Sequence, residues 1–221
     1  MISHIKSPEP LGTRQVCAVL LAAGQSRRMG AFKPLLPFGD STVINSCVSY
    51  LRRAGIESIV VVLGHRQDEV QKQLADQPLL FAVNNHAKSE MATSIRLGVE
   101  RVPSSAAAAL VALTDQPAVP EFVVTELIDQ WRNGAKIIKP EFEGRGGHPV
   151  LIDLVYGTEL MHLPEQGGLK TFMKAHEGEV CRVPVDTPFI ARDMDTWDDY
   201  LTLHQEVFGV LPAGESLRRP N

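Results

Sequence analysis

Residues 21–30 read Leu21-Ala22-Ala23-Gly24-Gln25-Ser26-Arg27-Arg28-Met29-Gly30, and Lys33 follows close behind. The stretch continues directly from an apolar run at 16–21, which its aliphatic and β-branched content predicts as the first strand. A glycine-bracketed basic loop after a buried strand stands at the carboxyl edge of a sheet, where open α/β folds bind their ligands. Ala22, Ala23 and Gly24 let a ligand approach the backbone. Gly24 and Gly30 are residues that can turn successive N–H groups toward an anion. Arg28 and Lys33 add the fixed positive charge that a multiply phosphorylated ligand needs. Two common phosphate motifs do not fit: GxGxxG lacks its middle glycine, and GxxxxGK[ST] fails because Ala31 follows Gly30.

Outward from this loop, short β-branched runs alternate with helical patterns, which predicts a three-layer α/β/α fold around a mostly parallel mixed sheet. A helix is expected over 41–54, with Ser41 as cap and Gly55 as stop, then a strand at 59–63 apolar enough to be covered on both faces. A helix at 67–75, a strand at 79–83, a helix at 91–102 and a strand at 107–113 follow. The next helix, 120–131, opens on Pro120 in its first turn, where the missing N–H costs little. A short strand at 136–139, a glycine-rich loop at 144–149, helices flanking Gly167-Gly168 and a strand at 180–185 come next. The last helix, 196–207, is capped by Thr196 and carries Asp198 and Asp199 in its first turn. One domain over 15–208 is expected, with tails at 1–14 and 209–221 that carry no packing pattern.

Composition narrows the function. The 221 residues hold 22 Lys and Arg against 26 Asp and Glu, a formal net charge of -4, which excludes a broad nucleic-acid-binding surface. No apolar run reaches the ~20 residues of a membrane span, and Pro8 and Pro10 stand where an export signal needs an apolar centre. Cys17, Cys47 and Cys181 lie far apart in apolar stretches, as expected of buried free thiols in a cytoplasmic protein.

Four further segments carry chemistry. Asp115, in Thr114-Asp115-Gln116-Pro117, ends a strand, so its carboxylate emerges at the same sheet edge as the first loop and suits a Mg²⁺ ion facing a triphosphate. The same Asp could instead initiate a turn. Asp193-Met194-Asp195-Thr196 precedes the last helix, and an extended backbone there sends both carboxylates to one side; a helix-capping cluster is the alternative. Asn84 and Ser94 offer hydrogen bonds to a base or ribose, or else only to a turn. Gly144-Arg145-Gly146-Gly147-His148-Pro149 places Arg145 and His148 among glycines, where they could meet an acidic acceptor.

Taken together, LAAGxSxRMGxxK, the continuation Lys33-Pro34-Leu35-Leu36-Pro37-Phe38-Gly39, Asp115-Gln116-Pro117, the GHP loop and D-x-D-T resemble the nucleotidyltransferases of nucleotide-diphosphosugar-transferase (Rossmann-like) fold. Within that group the likeness is to the molybdenum cofactor cytidylyltransferases. The resemblance implies that Arg28, Lys33, Asp115 and Asp195 are catalytic, and that Asp115 and Asp195 hold Mg²⁺ (or Mn²⁺), Asp193 being the other candidate for the second ligand. It implies CTP as donor, molybdopterin as acceptor and a molybdoenzyme client or chaperone as partner. Leu21, Ala22, Ala23, Gly24, Asn84 and Ser94 would line the nucleotide, and Arg145, His148 and Lys170 the acceptor. Ala23, where the related guanylyltransferases usually have glycine, leans toward cytidine. Glu90 replaces the family's usual glycine, and Lys170 in Gln166-Gly167-Gly168-Leu169-Lys170 matches only in part. A guanylyltransferase, another transferase with a phosphorylated acceptor, a nucleotide-binding delivery protein and a triphosphate hydrolase remain as alternatives.

Overall fold

The computed structural model describes residues 15–26, 28–86 and 91–212. The expected tail at 1–14, residues 213–221 of the expected tail at 209–221, and the departure at Glu90 lie outside the described residues.

Strand β1 (Gln15–Ala22) is followed by two antiparallel two-residue strands, β2 (Pro37–Phe38) and β3 (Ser41–Thr42), and by helix α1 (Val43–Arg53). Then come β4 (Ser58–Leu63), α2 (Gln67–Gln73), β5 (Leu80–Val83), α3 (Met91–Val99), β6 (Ala106–Leu113) and α4 (Glu121–Arg132). The second half adds β7 (Ile137–Phe142), β8 (Arg145–Gly146), β9 (Val150–Asp153), α5 (Gly157–Met161), α6 (Gly168–Ala175), β10 (Val180–Pro184) and α7 (Trp197–Phe208).

The main sheet runs β10-β7-β9-β6-β1-β4-β5, with β8 attached to β7. β1 pairs in parallel with both β4 and β6, while β9 is antiparallel to both its neighbours, β6 and β7. The chain builds outward from β1 through β4 to β5 and then crosses to β6 on the other side. The carboxyl ends of β1 and β6 therefore bound a topological switch point, the crevice where such sheets receive ligands.

Helices cover both faces. Ala18, Leu20, Leu110 and Ala112 face α1, α2 and α4, whereas Val111, Ile137, Val150 and Ile152 face α3, α5 and α6. The central strands are apolar on both sides for this reason. Gly98 fixes the seat of α3: a Cβ there would stand 2.3 Å from Val19 Cγ1 and 2.9 Å from Val62 Cγ2. Trp131 is buried under β9 with its indole N–H donating to Asp153 Oδ2 at 2.8 Å, so its one polar atom is satisfied. Helix α7 lies apart from the two faces and packs Trp197, Tyr200 and Leu203 over Met29, Leu36, Phe38 and Val43. It thereby clamps the segment that follows the first loop.

Several expectations change in detail. Ser41 does not cap α1; it sits in β3, and Thr42 is the N-cap, with no side-chain capping bond. Pro120 precedes α4 as its N-cap rather than entering the first turn. Cys17 and Cys47 are buried free thiols, but Cys181 is only half-buried. Strand β7 runs on through Pro140 because its pairing with β9 ends at Ile138, so the missing N–H interrupts no bond on that side. No helix among the described residues is long and apolar enough to cross a membrane.

Candidate functional site

The first loop leaves β1 at Ala22 and is held by its own polar groups. Ser26 adopts φ 52°, a left-handed conformation that a non-glycine residue takes only at a cost of about 1 kcal/mol or more. It is fixed there from two sides: its carbonyl accepts from the N–H of Met29 at 3.2 Å, and its hydroxyl from the N–H of Lys33 at 3.1 Å. Gly30 takes φ 71°, as anticipated. Gly24 does not adopt a positive φ; its contribution is space, since nothing lies within 4 Å of where a Cβ would be.

The ends of β1 and β6 are tied together. Thr114 donates to Leu21 O through both its N–H, at 3.2 Å, and its hydroxyl, at 2.8 Å. This brings Asp115 beside the loop. The segment before α7 then arrives from across the chain: Met194 N–H donates to Asp115 O at 2.9 Å, and Gln116 Nε2 to Asp193 Oδ1 at 2.8 Å. Asp193 is thus not a helix cap. That task falls to Thr196 and Asp199, which form a reciprocal capping box, and Asp199 Oδ2 also accepts from the Asp195 N–H at 3.2 Å.

So positioned, Asp195 receives both cations. Lys33 Nζ lies 2.8 Å from Oδ1 and Arg28 Nη2 2.7 Å from Oδ2. The two contacts differ in kind. The Lys33 side chain is only 12% exposed, against 73% for Arg28, so water screens the second pair far more. The Lys33 hydrogen bond is the main reason the Asp195 carboxyl is held below its ordinary range, with the charges of Lys33 and Arg28 adding to it. Asp115 behaves oppositely. Burial raises its pKa, Lys33 opposes the rise, and the charges of Asp193 and Asp195 reinforce it. Its Oδ1 is buried without a hydrogen-bond partner.

That orphaned oxygen tests the fit to a divalent cation. A buried carboxylate oxygen without a donor among the described residues, pushed toward protonation by its burial and then by two neighbouring carboxylates, gains from a hard cation what those residues do not supply. Among the described residues no group of three or more His, Cys, Asp and Glu side chains forms a complete cage. Asp115 and Asp195 match the Mg²⁺ pattern instead, in which one or two carboxylates act together with water and substrate phosphates.

A pocket of about 280 Å³ opens beside this rim, lined by Leu21, Ala22, Ala23, Gly24, Lys33 and Asp115. Asn84 and Ser94 line it too, while also bonding each other: Asn84 Nδ2 donates to Ser94 Oγ at 2.9 Å, and Asn84 Oδ1 accepts from the N–H of His86 at 3.0 Å. Asn84 thus makes the turn contact that its sequence position allows while lining the pocket. A second pocket of about 410 Å³ adjoins across Met91, between α6 and the β7–β8 hairpin, and includes His148 and Lys170. Arg145 does not line it; it is exposed on β8. Nor is His148 a cation: burial lowers its pKa, so it is neutral near pH 7. Its backbone N–H donates to Ile190 O at 2.8 Å. Lys139, which no motif singles out, lines this second pocket. Its signal in the sequence is a lysine directly after two isoleucines in a strand, two residues from Ile137 and so on the same face.

An open mixed sheet with its crevice at the β1–β6 switch point defines an α/β protein of Rossmann-like, nucleotidyltransferase-type fold. Residues 18–180 match the model of the MobA-like NTP transferase domain, and the chain belongs to that family. Asp193 and Asp195 lie beyond the matched residues. The chain is 24% identical over 185 residues to the molybdenum cofactor cytidylyltransferase of Escherichia coli, covering 83% of this chain and 93% of that one. It is 31% identical over 146 residues to the nicotine blue oxidoreductase of Paenarthrobacter nicotinovorans, covering 62% and 71%. Among solved structures, Rv0371c of Mycobacterium tuberculosis superposes with a TM-score of 0.77 at 30% identity, covering 87% of this chain and 99% of that one. A manganese complex of Rv0371c gives 0.76 at 28% identity, covering 87% and 100%.

Proposed function

We propose that this protein transfers a cytidylyl group from CTP to the terminal phosphate of molybdopterin, releasing pyrophosphate. The observation that carries this reading is the meeting of Arg28, Lys33, Asp115 and Asp195 at one edge of the sheet, beside a pocket large enough to admit part of a nucleotide. The kinship with the E. coli cytidylyltransferase supports the choice of donor and acceptor.

In this scheme the triphosphate enters over Ala22, Ala23 and Gly24. Lys33 and Arg28 leave Asp195 and donate to phosphate oxygens, where they stabilise the charge that grows on the departing pyrophosphate. Asp115 and Asp195 would hold Mg²⁺ or Mn²⁺. Bound there, the ion would offset phosphate charge and favour in-line geometry. Asn84 and Ser94, already oriented by one another, face the nucleoside. The acceptor phosphate attacks the α-phosphorus through an oxygen that is ionised at neutral pH; the new P–O bond forms as the bond to the β-phosphate oxygen breaks. No general base is needed.

The test is pyrophosphate release with CTP, GTP, ATP and UTP in turn, with and without molybdopterin and with Mg²⁺ or Mn²⁺. CTP with acceptor present is expected to turn over at least ten-fold faster than any other pairing. Equal turnover with GTP overturns the cytidine assignment, and release without an acceptor points to a hydrolase. A protein that binds CTP but releases no pyrophosphate under any condition is a delivery protein.

A further inference from the structure

We propose that Lys139 is the residue by which the second pocket recognises an oxyanion on the acceptor, with Lys170 at the opposite rim as its partner. This assignment rests on the second pocket being the acceptor's, and it replaces Arg145 and His148 as the source of charge there.

Three observations point to Lys139. First, its position is built. The strand alternates so that Ile137, Lys139 and Glu141 share the face toward α6, and Lys139 is half-buried at the pocket's floor. The floor is shaped to admit it: a Cβ on Gly146 would stand 2.5 Å from Lys139 Nζ and 2.8 Å from Cε. A side chain at position 146 would displace the amino group. The adjacent Gly147 is still tighter, since a Cβ there would meet Ile190 O at 2.0 Å.

Second, Lys139 makes no hydrogen bond or ion pair among the described residues, whereas the cation next to it is engaged. Arg182, its register partner on β10, pairs with Glu141 at 3.4 Å and with Glu177 at 3.8 Å. Burial and the charge of Arg182 both lower the Lys139 pKa, with Glu141 and Glu177 opposing. A half-buried ammonium in that setting gains from an incoming oxyanion a direct hydrogen bond that no side chain among the described residues supplies.

Third, the remaining charges leave the pocket cationic. Glu165 at its rim lies 3.9 Å from Arg96, His148 is neutral, and Lys170 is exposed at the start of α6. Met91, Leu169 and Met173 supply an apolar flank against which a flat ring could lie. His148 and Lys139 line the same pocket, and the charges of Asp193 and Lys139 both act on the imidazole. The ligand class is a flat heterocycle carrying a phosphate or comparable oxyanion.

The experiment uses the full chain and two probes, a phosphorylated hydroxymethylpterin and its unphosphorylated form, titrated by quenching of pterin fluorescence. CTP affinity is measured separately for each variant. Lys139→Met is expected to bind the phosphorylated probe about ten-fold or more weakly, with the unphosphorylated probe and CTP unaffected. Lys139→Arg restores most of the loss, a recovery that a merely structural role would not give. Undiminished binding of the phosphorylated probe by Lys139→Met overturns the proposal, as does equal weakening of both probes or failure of the wild-type protein to bind either. Loss of CTP binding or turnover in the wild type would overturn the reading under Proposed function and leave the dependence on Lys139 standing.

Discussion

The two pockets on either side of Met91 reach readiness for anions by different means. At the first, Lys33 and Arg28 are already seated on Asp195, and the loop that carries them is pinned by Ser26. At the second, Gly146 clears the space for Lys139, which no side chain among the described residues ion-pairs or hydrogen-bonds. The first site has its charges matched within the protein, so an anion must exchange with a carboxylate. The second presents charge left unmatched, so an anion simply adds. A pocket of the first kind discriminates by how much negative charge a ligand brings; one of the second kind discriminates by whether the ligand brings any.

The sharpest way to break this contrast is Asp115→Ala. Loss of the orphaned carboxylate is expected to lower turnover about 10³-fold while leaving binding of the phosphorylated pterin unchanged; steady-state kinetics with the probe titration will check both. Next in size, Lys33→Met should cost about 10²-fold in turnover, several-fold more than Arg28→Met, because Lys33 is the more buried member of the pair. A kinetic comparison that ranks the two residues the other way would remove the distinction drawn between the contacts. Gly147→Ala addresses the other pocket. The clash with the Ile190 carbonyl should destabilise the protein by about 1–3 kcal/mol and impair the acceptor side more than CTP binding, as denaturant melts and CTP titration will reveal.

Acidity separates the regions further. Asp195 and Asp199 have folded pKa values below the ordinary carboxylate range, so their stabilisation is present above about 3.8 and is lost as pH falls through the lower, folded value. His176, at the end of α6, is bonded by Glu159 at 2.8 Å and Glu179 at 3.0 Å, and those bonds raise its pKa above 6.5. Its contribution is complete below 6.5 and fades as pH rises through the raised value. Thermal melts across pH should thus show the α7 side weakening in acid, a loss blunted in Asp199→Asn, and the α6 side weakening toward alkali, a loss absent in His176→Gln. The smallest effect expected is that of Arg145→Ala. An exposed residue outside the pocket should alter the acceptor KM by less than about two-fold.

Much of the framework was legible because it depends on local signals. The apolar run into Ala22, the paired stop at Gly55 and the cap at Thr196 each reflect chemistry within a few residues. What was not legible depends on partners far along the chain. β9 follows a glycine-rich loop and gains its identity only by lying between β6 and β7. Arg145 and His148 read as charges because glycines surround them in sequence, whereas in space the arginine turns outward and the histidine is desolvated. Lys139 looked like an ordinary end to a short strand, and its significance comes from the hairpin that folds back over it. The first loop is held by its own residues at Ser26, but its acidic neighbours come from far along the chain: Thr114 ties in from 93 positions away with Asp115 beside it, and Asp195 meets Lys33 from a distance of 162 positions.

That long-range carboxylate has a consequence for how the empty protein behaves among the many small anions it meets. Bulk phosphate and sulfate would have to evict a tethered competitor whose effective concentration, set by α7 and its capping box, no small dissolved anion can match. Detach the C-terminal helix and the loop would become an indiscriminate anion trap, its basic side chains exposed to whatever salt is most abundant.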